Sequence, residues 1–352
     1  MPFVKNIIVR SIGQPHGESR FINYDSALSK GYYRLDVLKV KVKLPRGVEE
    51  VELPYKEVIN YIDSPNTSIT IRGGHVDSLF DIGDKYRALT QPVYEEFMQV
   101  KPGTFDGPVL RLQSIKAIGR DAYECVLQRA TYFDQIRTNL SLDMPIGLGR
   151  TMRIEDLSTD KQLRPLHQSL LANTIGVSAV WVTPLKHKDR KSRYQVFLKP
   201  RRRQTGVFYD MLGTVSGVVE VPEDDEFHGQ TLEEYAKKEI CREFYQETGY
   251  NDYMLANNVA ESAVEIIPLA FTRELMRGGK PQFFFLIVTP SINEKDLASC
   301  FKGSFNGPAE FYKGSSPRIR KFGLSPETQC NLLYALRYIQ RHERLEYVDL
   351  SD

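Results

Sequence analysis

The chain has 352 residues, of which 41% are hydrophobic and 26% charged, with a formal net charge of +2. That length exceeds a typical single domain, and the composition belongs to a globular protein with a sizeable core, which excludes disordered classes. Charge this close to balance gives no general attraction to nucleic acid or to a membrane surface, so any such contact has to come from a local patch.

Four cysteines, Cys125, Cys241, Cys300 and Cys330, stand far apart. They show neither the close pairing of a zinc site nor the density of a disulfide scaffold, so thiols of a reducing compartment are expected. Residues 1–6 lack the apolar core of a secretion signal, and no later stretch is long and apolar enough to span a bilayer. A cytoplasmic protein is expected.

Along the chain, residues 1–160 read as an α+β accessory domain and residues 161–352 as a second domain that follows the polar stretch 155–161. In the first part, 34–44 alternates apolar and basic residues like a strand, 55–62 reads as a short helix, and 109–115 and 125–131 read as strands able to pair. Gly73, Gly74 and His75 form a turn signal, without the following helix that a phosphate cradle needs. Tyr132, Phe133 and Asp134, with Arg137, Thr138 and Asn139, read as core edge and turn, with ligand contact as the alternative. In the second part a helix is expected over 163–173, then strands at 176–182, 194–199 and 207–212. Two more strands follow at 263–271 and 282–289, rich in β-branched and aromatic residues. Ser325 as cap, Pro326 at the first helical position and apolar Leu332, Leu333, Leu336 and Ile339 announce a final helix.

The segment with a chemical signature lies between 229 and 250. Thr231 and Glu234 have the spacing of a capping box, so a helix should begin at about Leu232 and stop at Gly249, which can adopt a left-handed conformation. Leu232, Ala236, Ile240 and Phe244 recur at i+4 as an apolar stripe. Beside it lie Glu239, Glu243 and Glu247, also at i+4, with Gln246. Like charges at this spacing oppose the helix by roughly 0.2–0.5 kcal/mol per pair and call for a positive partner. Two partners fit: Arg242, reaching Glu239 or Gln246, or a hard divalent cation that takes oxygen ligands and also grips phosphates.

Arg242, Glu243, Phe244, Glu247, Gly249 and Tyr250 fall on the second half of the Nudix signature, and residues 229–250 resemble a degenerate Nudix box. Gln246 stands where that family has a glutamate; its carbonyl oxygen can still ligate, but it carries no charge and cannot act as a base. The first half is looser, and an inserted helical turn makes Glu234 a capping residue. Upstream, Gly213 to Glu220 resembles the family's strand and glycine turn, with Glu220 as a further candidate. The resemblance implies an α/β/α sandwich with a mixed sheet over about half the chain. It also implies Mg2+ or Mn2+ held by Glu243, Glu247, Gln246, Glu239 and Glu220, with Glu247, Glu243 and Glu220 as catalytic groups. The implied substrate is nucleotide-like, a nucleoside diphosphate derivative cleaved at its diphosphate; a Nudix-like module that binds a nucleotide or RNA without turnover is the alternative. Arg201 and Arg203 of the basic run after Lys199, with Phe208, are candidate substrate contacts, since the arginine fork suits phosphate oxygens. The accessory domain is expected to shape the pocket or to mediate a homodimer. The run 222–226 reads as a solvated acidic loop rather than a second metal site.

Overall fold

The computed structural model describes residues 37–44, 47–100, 102–157, 162–184, 194–201, 211–290, 292, 312–313 and 323–342. Its central feature is a nine-stranded mixed sheet. The strands are β3 (Tyr55–Asn60), β8 (Gly176–Pro184), β9 (Tyr194–Pro200), β10 (Met211–Gly213), β11 (Val215–Val218), β12 (Glu265–Glu274), β13 (Lys280–Val288), β14 (Tyr312–Lys313) and β15 (Gly323–Leu324). Their order is β15-β10-β9-β8-β13-β12-β3, with β14 beside β9 and β11 beside β8. β8 and β13 pair in parallel at the centre, and nearly all their residues are buried, as expected of strands covered on both faces.

Side-chain alternation assigns each face. Val177, Ala179 and Trp181 of β8 and Phe283 and Phe285 of β13 point to one side, where helix α5 (Leu232–Thr248) packs its stripe Leu232, Ala236, Ile240 and Phe244. Val180, Val182, Phe284 and Leu286 point to the other, under helix α7 (Pro326–His342) and its Leu332, Leu333, Leu336 and Ile339. Trp181 ties the first layer together: it stacks on Phe197 at 4.1 Å, meets Phe244 edge-on at 5.3 Å, and donates its Nε1–H to Thr289 at 3.0 Å. The result is the expected α/β/α sandwich. Among the described residues, no helix is long and apolar enough to cross a membrane.

The earlier part of the chain holds hairpin β1 (Leu38–Leu44) and β2 (Gly47–Leu53), and a four-stranded sheet of β4 (Ser68–Ile71), β5 (Ser78–Leu79), β6 (Pro108–Ala117) and β7 (Ala122–Thr131). β6 and β7 pair antiparallel, as their sequences suggest. The same part of the chain holds short helices α1 (Asp84–Leu89), α2 (Gln91–Val100), α3 (Tyr132–Arg137) and α4 (Met152–Asp156), and α6 (Tyr250–Asn257) follows α5. Arg72–Gly74 is a single 3-10 turn with Gly73 and Gly74 at positive φ, so the double glycine is a turn.

Two expected helices are absent. Residues 55–62 contain strand β3, the edge of the large sheet: β12 offers a free ladder there, and pairing with it outweighs the helical spacing of Tyr55 and Ile59. Over 163–173 only Leu166–Gln168 forms a 3-10 turn. The buried Arg111 guanidinium takes the carbonyls of Leu166, Ser169 and Leu171, and Asp156 accepts from the Leu170 N–H, so backbone groups that a helix would pair internally are claimed by side chains. Of the strand expected at 207–212, residues 207–210 lie outside the described residues, and β10 takes up the remainder.

Candidate functional site

Helix α5 begins and ends as its sequence requires. Thr231 N–H donates to Glu234 Oε2 at 2.9 Å and Glu234 N–H to Thr231 Oγ1 at 3.4 Å, which gives Glu234 the capping role. Gly249 closes the helix with φ 64° and at once starts α6, a reversal a side chain would strain. With the apolar stripe fixed on β8 and β13, the neighbouring row of glutamates is held along the flank of the sheet beside β11 and the end of β9.

Arg242 sits at the centre of that row. Its Nη2 donates to Glu220 Oε1 at 2.9 Å, and to Glu239 Oε2 and Glu243 Oε1 at 3.3 Å each. Its Nη1 donates to Gln246 Oε1 at 3.2 Å. Burial works against the guanidinium charge, but Glu239, Glu243 and Glu220 outweigh it and hold the proton more tightly than on a free arginine. Glu239, which is buried, also accepts the Glu220 backbone N–H at 3.1 Å and so pins the end of the glycine turn to the helix. Of the two partners that the stacked carboxylates call for, the structure shows Arg242, which supplies the balancing charge.

Glu243 and Glu247 continue the row with side chains 19% and 21% exposed. The Glu243 carboxyl is pushed up to about 7, first by burial and then by the negative charge of Glu247, with Arg242 and Lys199 pulling the other way. The backbone of β11 passes close over it: a Cβ at Gly217 would fall 2.3 Å from Glu243 Oε1, so a larger residue would have to push the carboxylate aside. Glu247 Oε1 is bonded by Lys199 of β9. Its second oxygen, Oε2, is buried without a hydrogen-bond partner.

Glu220, Glu239, Glu243, Gln246 and Glu247 are thus brought together. Arg201 is not among them: it faces Glu327 of α7 at 3.8 Å and is largely buried. Arg203 and Phe208 lie outside the described residues. Lys199 is the residue that sequence reasoning missed as a member of the site. Strand alternation carried the signal, because Lys199 shares the face of Phe197, which packs under α5. Tyr132, Phe133 and Asp134 belong to α3, where Asp134 completes a capping box with Thr131. Asn139 is buried and bonds the Asn173 side chain and the Arg277 carbonyl. Cys241 is half-buried and packs against the core of the α5 layer. In the acidic loop, Asp224, Glu226 and His228 gather with their ligand atoms within 4.8 Å, all exposed to solvent.

No protein-family model matches this chain, and no curated protein does. Among solved structures, it is similar to a mutT/nudix family protein from Listeria innocua, with 15% identity over 49% of this chain and 97% of that one, at a TM-score of 0.32. It is also similar to RenU, a Nudix hydrolase from M. Smegmatis, with 11% identity over 47% of this chain and 88% of that one, at a TM-score of 0.25. The functional reading that follows takes its support from the motif and from the geometry around Arg242.

Proposed function

We propose that the flank of α5 is the cation site of a Nudix-type hydrolase that cleaves the diphosphate linkage of a nucleoside diphosphate derivative. The observation that carries this is the orphaned Glu247 Oε2, buried beside a Glu243 carboxyl that its surroundings hold half-protonated near neutral pH. A buried carboxylate oxygen without a partner is costly, and a divalent cation answers both it and the repulsion between the two glutamates. The donor set fits such an ion. Glu243 and Glu247 would hold it, with Glu239, Glu220 and the Gln246 carbonyl oxygen available once released by Arg242. Mg2+ or Mn2+ held there would neutralise phosphate charge and orient the attacking water. Glu247 or Glu220 would take that water's proton. Gly217 lets the β11 backbone close over the carboxylates and exclude solvent.

A second reading is a nucleotide-binding module without turnover. The observation favouring it is that Gln246 carries no charge and its oxygen is already engaged by Arg242. One experiment separates the two: phosphate release from ADP-ribose, diadenosine polyphosphates, NADH and capped RNA, with Mg2+ or Mn2+, for the wild type and Glu247→Gln. Metal-dependent turnover that disappears in the variant supports the hydrolase. Nucleotide binding with no turnover in either protein supports the module.

A further inference from the structure

A second group of buried polar side chains lies on the other face of the sheet. Tyr55 on β3, Glu274 on β12 and Lys280 on β13 are neighbours across the strands, Tyr55 opposite Glu274 and Glu274 opposite Lys280. Tyr55 and Glu274 are fully buried and Lys280 is 1% exposed. Lys280 shares the parity of Phe284 and Leu286, so the row belongs to the α7 layer, away from the glutamates of α5. Arg277 joins it, donating to Glu274 Oε2 at 2.6 Å and to Glu327 Oε2 at 3.3 Å. Asn331 of α7 is linked to the same group through Ser178, to which its Nδ2 donates at 3.2 Å.

These contacts leave several polar atoms over. The Tyr55 hydroxyl, Glu274 Oε1 and Asn331 Oδ1 are all buried without a hydrogen-bond partner. Lys280 Nζ donates once, to Gln282 Oε1 at 3.4 Å, although an ammonium offers three donors. Room for that ammonium depends on Gly176, where a Cβ would come within 2.2 Å of Nζ. The contrast with Arg111 is instructive, since that buried guanidinium meets three carbonyls and the Gln128 side chain. Four polar groups with open valences in one connected buried network ask for a ligand that both accepts and donates: it must offer oxygens to Lys280 and Tyr55 and a hydrogen to Glu274 or Asn331. An anion suits the site best, because two of the three donors of the Lys280 ammonium are unused. Burial, reinforced by Arg277 against the opposing pull of Glu274 and Glu327, lowers Lys280 to about 7, and a negative ligand beside Nζ would restore its charge.

We propose that this buried polar network binds a small oxyanion that carries its own hydroxyl hydrogen, of the hydrogencarbonate or hydrogenphosphate class, with its oxygens on Lys280 and Tyr55 and its O–H directed to Glu274 or Asn331. The inference does not depend on the reading of the α5 flank. The test uses the full chain in the presence of a chelator, so that cation-bound phosphate plays no part. Thermal midpoint and calorimetric affinity are measured with hydrogencarbonate, phosphate and sulfate at matched ionic strength; sulfate is the control because it has no O–H at neutral pH. Hydrogencarbonate or phosphate should raise the midpoint while sulfate does not, and the one that acts identifies the source of the ligand. Lys280→Met and Tyr55→Phe should each weaken binding on the order of tenfold or more, the loss of one hydrogen bond to a charged partner. Tyr55→Phe keeps the ring that packs on Phe284 at 5.4 Å, so it reports on the hydroxyl alone. The proposal is overturned if no anion moves the wild type, which would leave only ordered water in the site. It is equally overturned if sulfate acts as well as the others, or if Tyr55→Phe binds like the wild type.

Discussion

Replacing Glu243 with glutamine should stabilise the metal-free protein at alkaline pH and leave it nearly unchanged at acid pH. In the folded chain the Glu243 carboxyl titrates at about 7 rather than the 4.5 of a free glutamate, first because it is buried and then because Glu247 lies beside it. Between those two values the folded state therefore holds more protons than the unfolded state, and stability falls as pH rises through that window. Moving a midpoint from 4.5 to about 7 at about 1.4 kcal/mol per pH unit amounts to about 3 kcal/mol, the cost of keeping the buried carboxylate ionised. Glu243→Gln keeps the shape and removes the titration, so its advantage over the wild type should grow from near zero at about pH 4 to about 3 kcal/mol at about pH 8. Urea unfolding at several pH values, in a chelator, measures this as a difference in extrapolated stability. Added Mn2+ should then reverse the order at pH 8, because the wild type gains a cation where the proton left and the variant does not. A gap between the two proteins that stays flat from about pH 4 to about pH 8 would refute the reasoning, since it would mean that Glu243 is solvated and uncoupled from Glu247.

Two further outcomes follow from the same contacts. Gly217→Ala places a methyl 2.3 Å from Glu243 Oε1; the forced displacement should cost about 1–3 kcal/mol in chemical denaturation and weaken the Mn2+ response in parallel. Lys199→Met removes the counterion of Glu247, both side chains being mostly buried at 12% and 21% exposure. It should destabilise the metal-free chain by roughly 2 kcal/mol or more, with part of the loss recovered by Mn2+ in a thermal melt.

The sequence made the site more legible than the frame around it. Thr231, Glu234 and Gly249 mark the ends of α5 through purely local chemistry, and the i+4 stripe fixes which side of the helix meets the sheet, so the glutamate row follows without knowledge of the partner strands. The final helix was legible for the same reason, through Ser325 and Pro326. Where the deciding contact is distant, local pattern misleads. Tyr55 and Ile59 have helical spacing, yet the free edge of β12 makes them a strand. Residues 163–173 have a helical pattern, yet Arg111, more than fifty residues earlier in the chain, captures their carbonyls. Lys199 and Arg201 sit two apart in one basic run and part company after Pro200, one bonding Glu247 and the other facing Glu327. Composition describes that run as a single patch, and only the sheet separates its members.

Arg242 raises the sharpest question about the site, because it occupies the position between the carboxylates that a cation would claim. Its guanidinium binds oxygens of Glu220, Glu239, Glu243 and Gln246 within 2.9–3.3 Å. If it acts mainly as a competing charge, Arg242→Gln should tighten cation binding. Two unit charges about 4 Å apart interact by up to about 4 kcal/mol at an effective dielectric constant near 20. The Arg242 side chain is 33% exposed, so solvent screening reduces that figure and the expected gain in Mn2+ affinity is on the order of tenfold. If it acts instead as the clasp that holds the glutamates together, the same variant should lose both stability and cation affinity, since the four oxygens would repel one another apart. Titrating Mn2+ into both proteins, with urea unfolding alongside, distinguishes these outcomes. The number of bonds it makes favours competition: an arginine whose two terminal nitrogens meet four oxygens already supplies the balancing positive charge, and a cation on the same oxygens would first have to release it. A fall in Mn2+ affinity in Arg242→Gln would overturn that order of events and make the arginine part of the binding site itself.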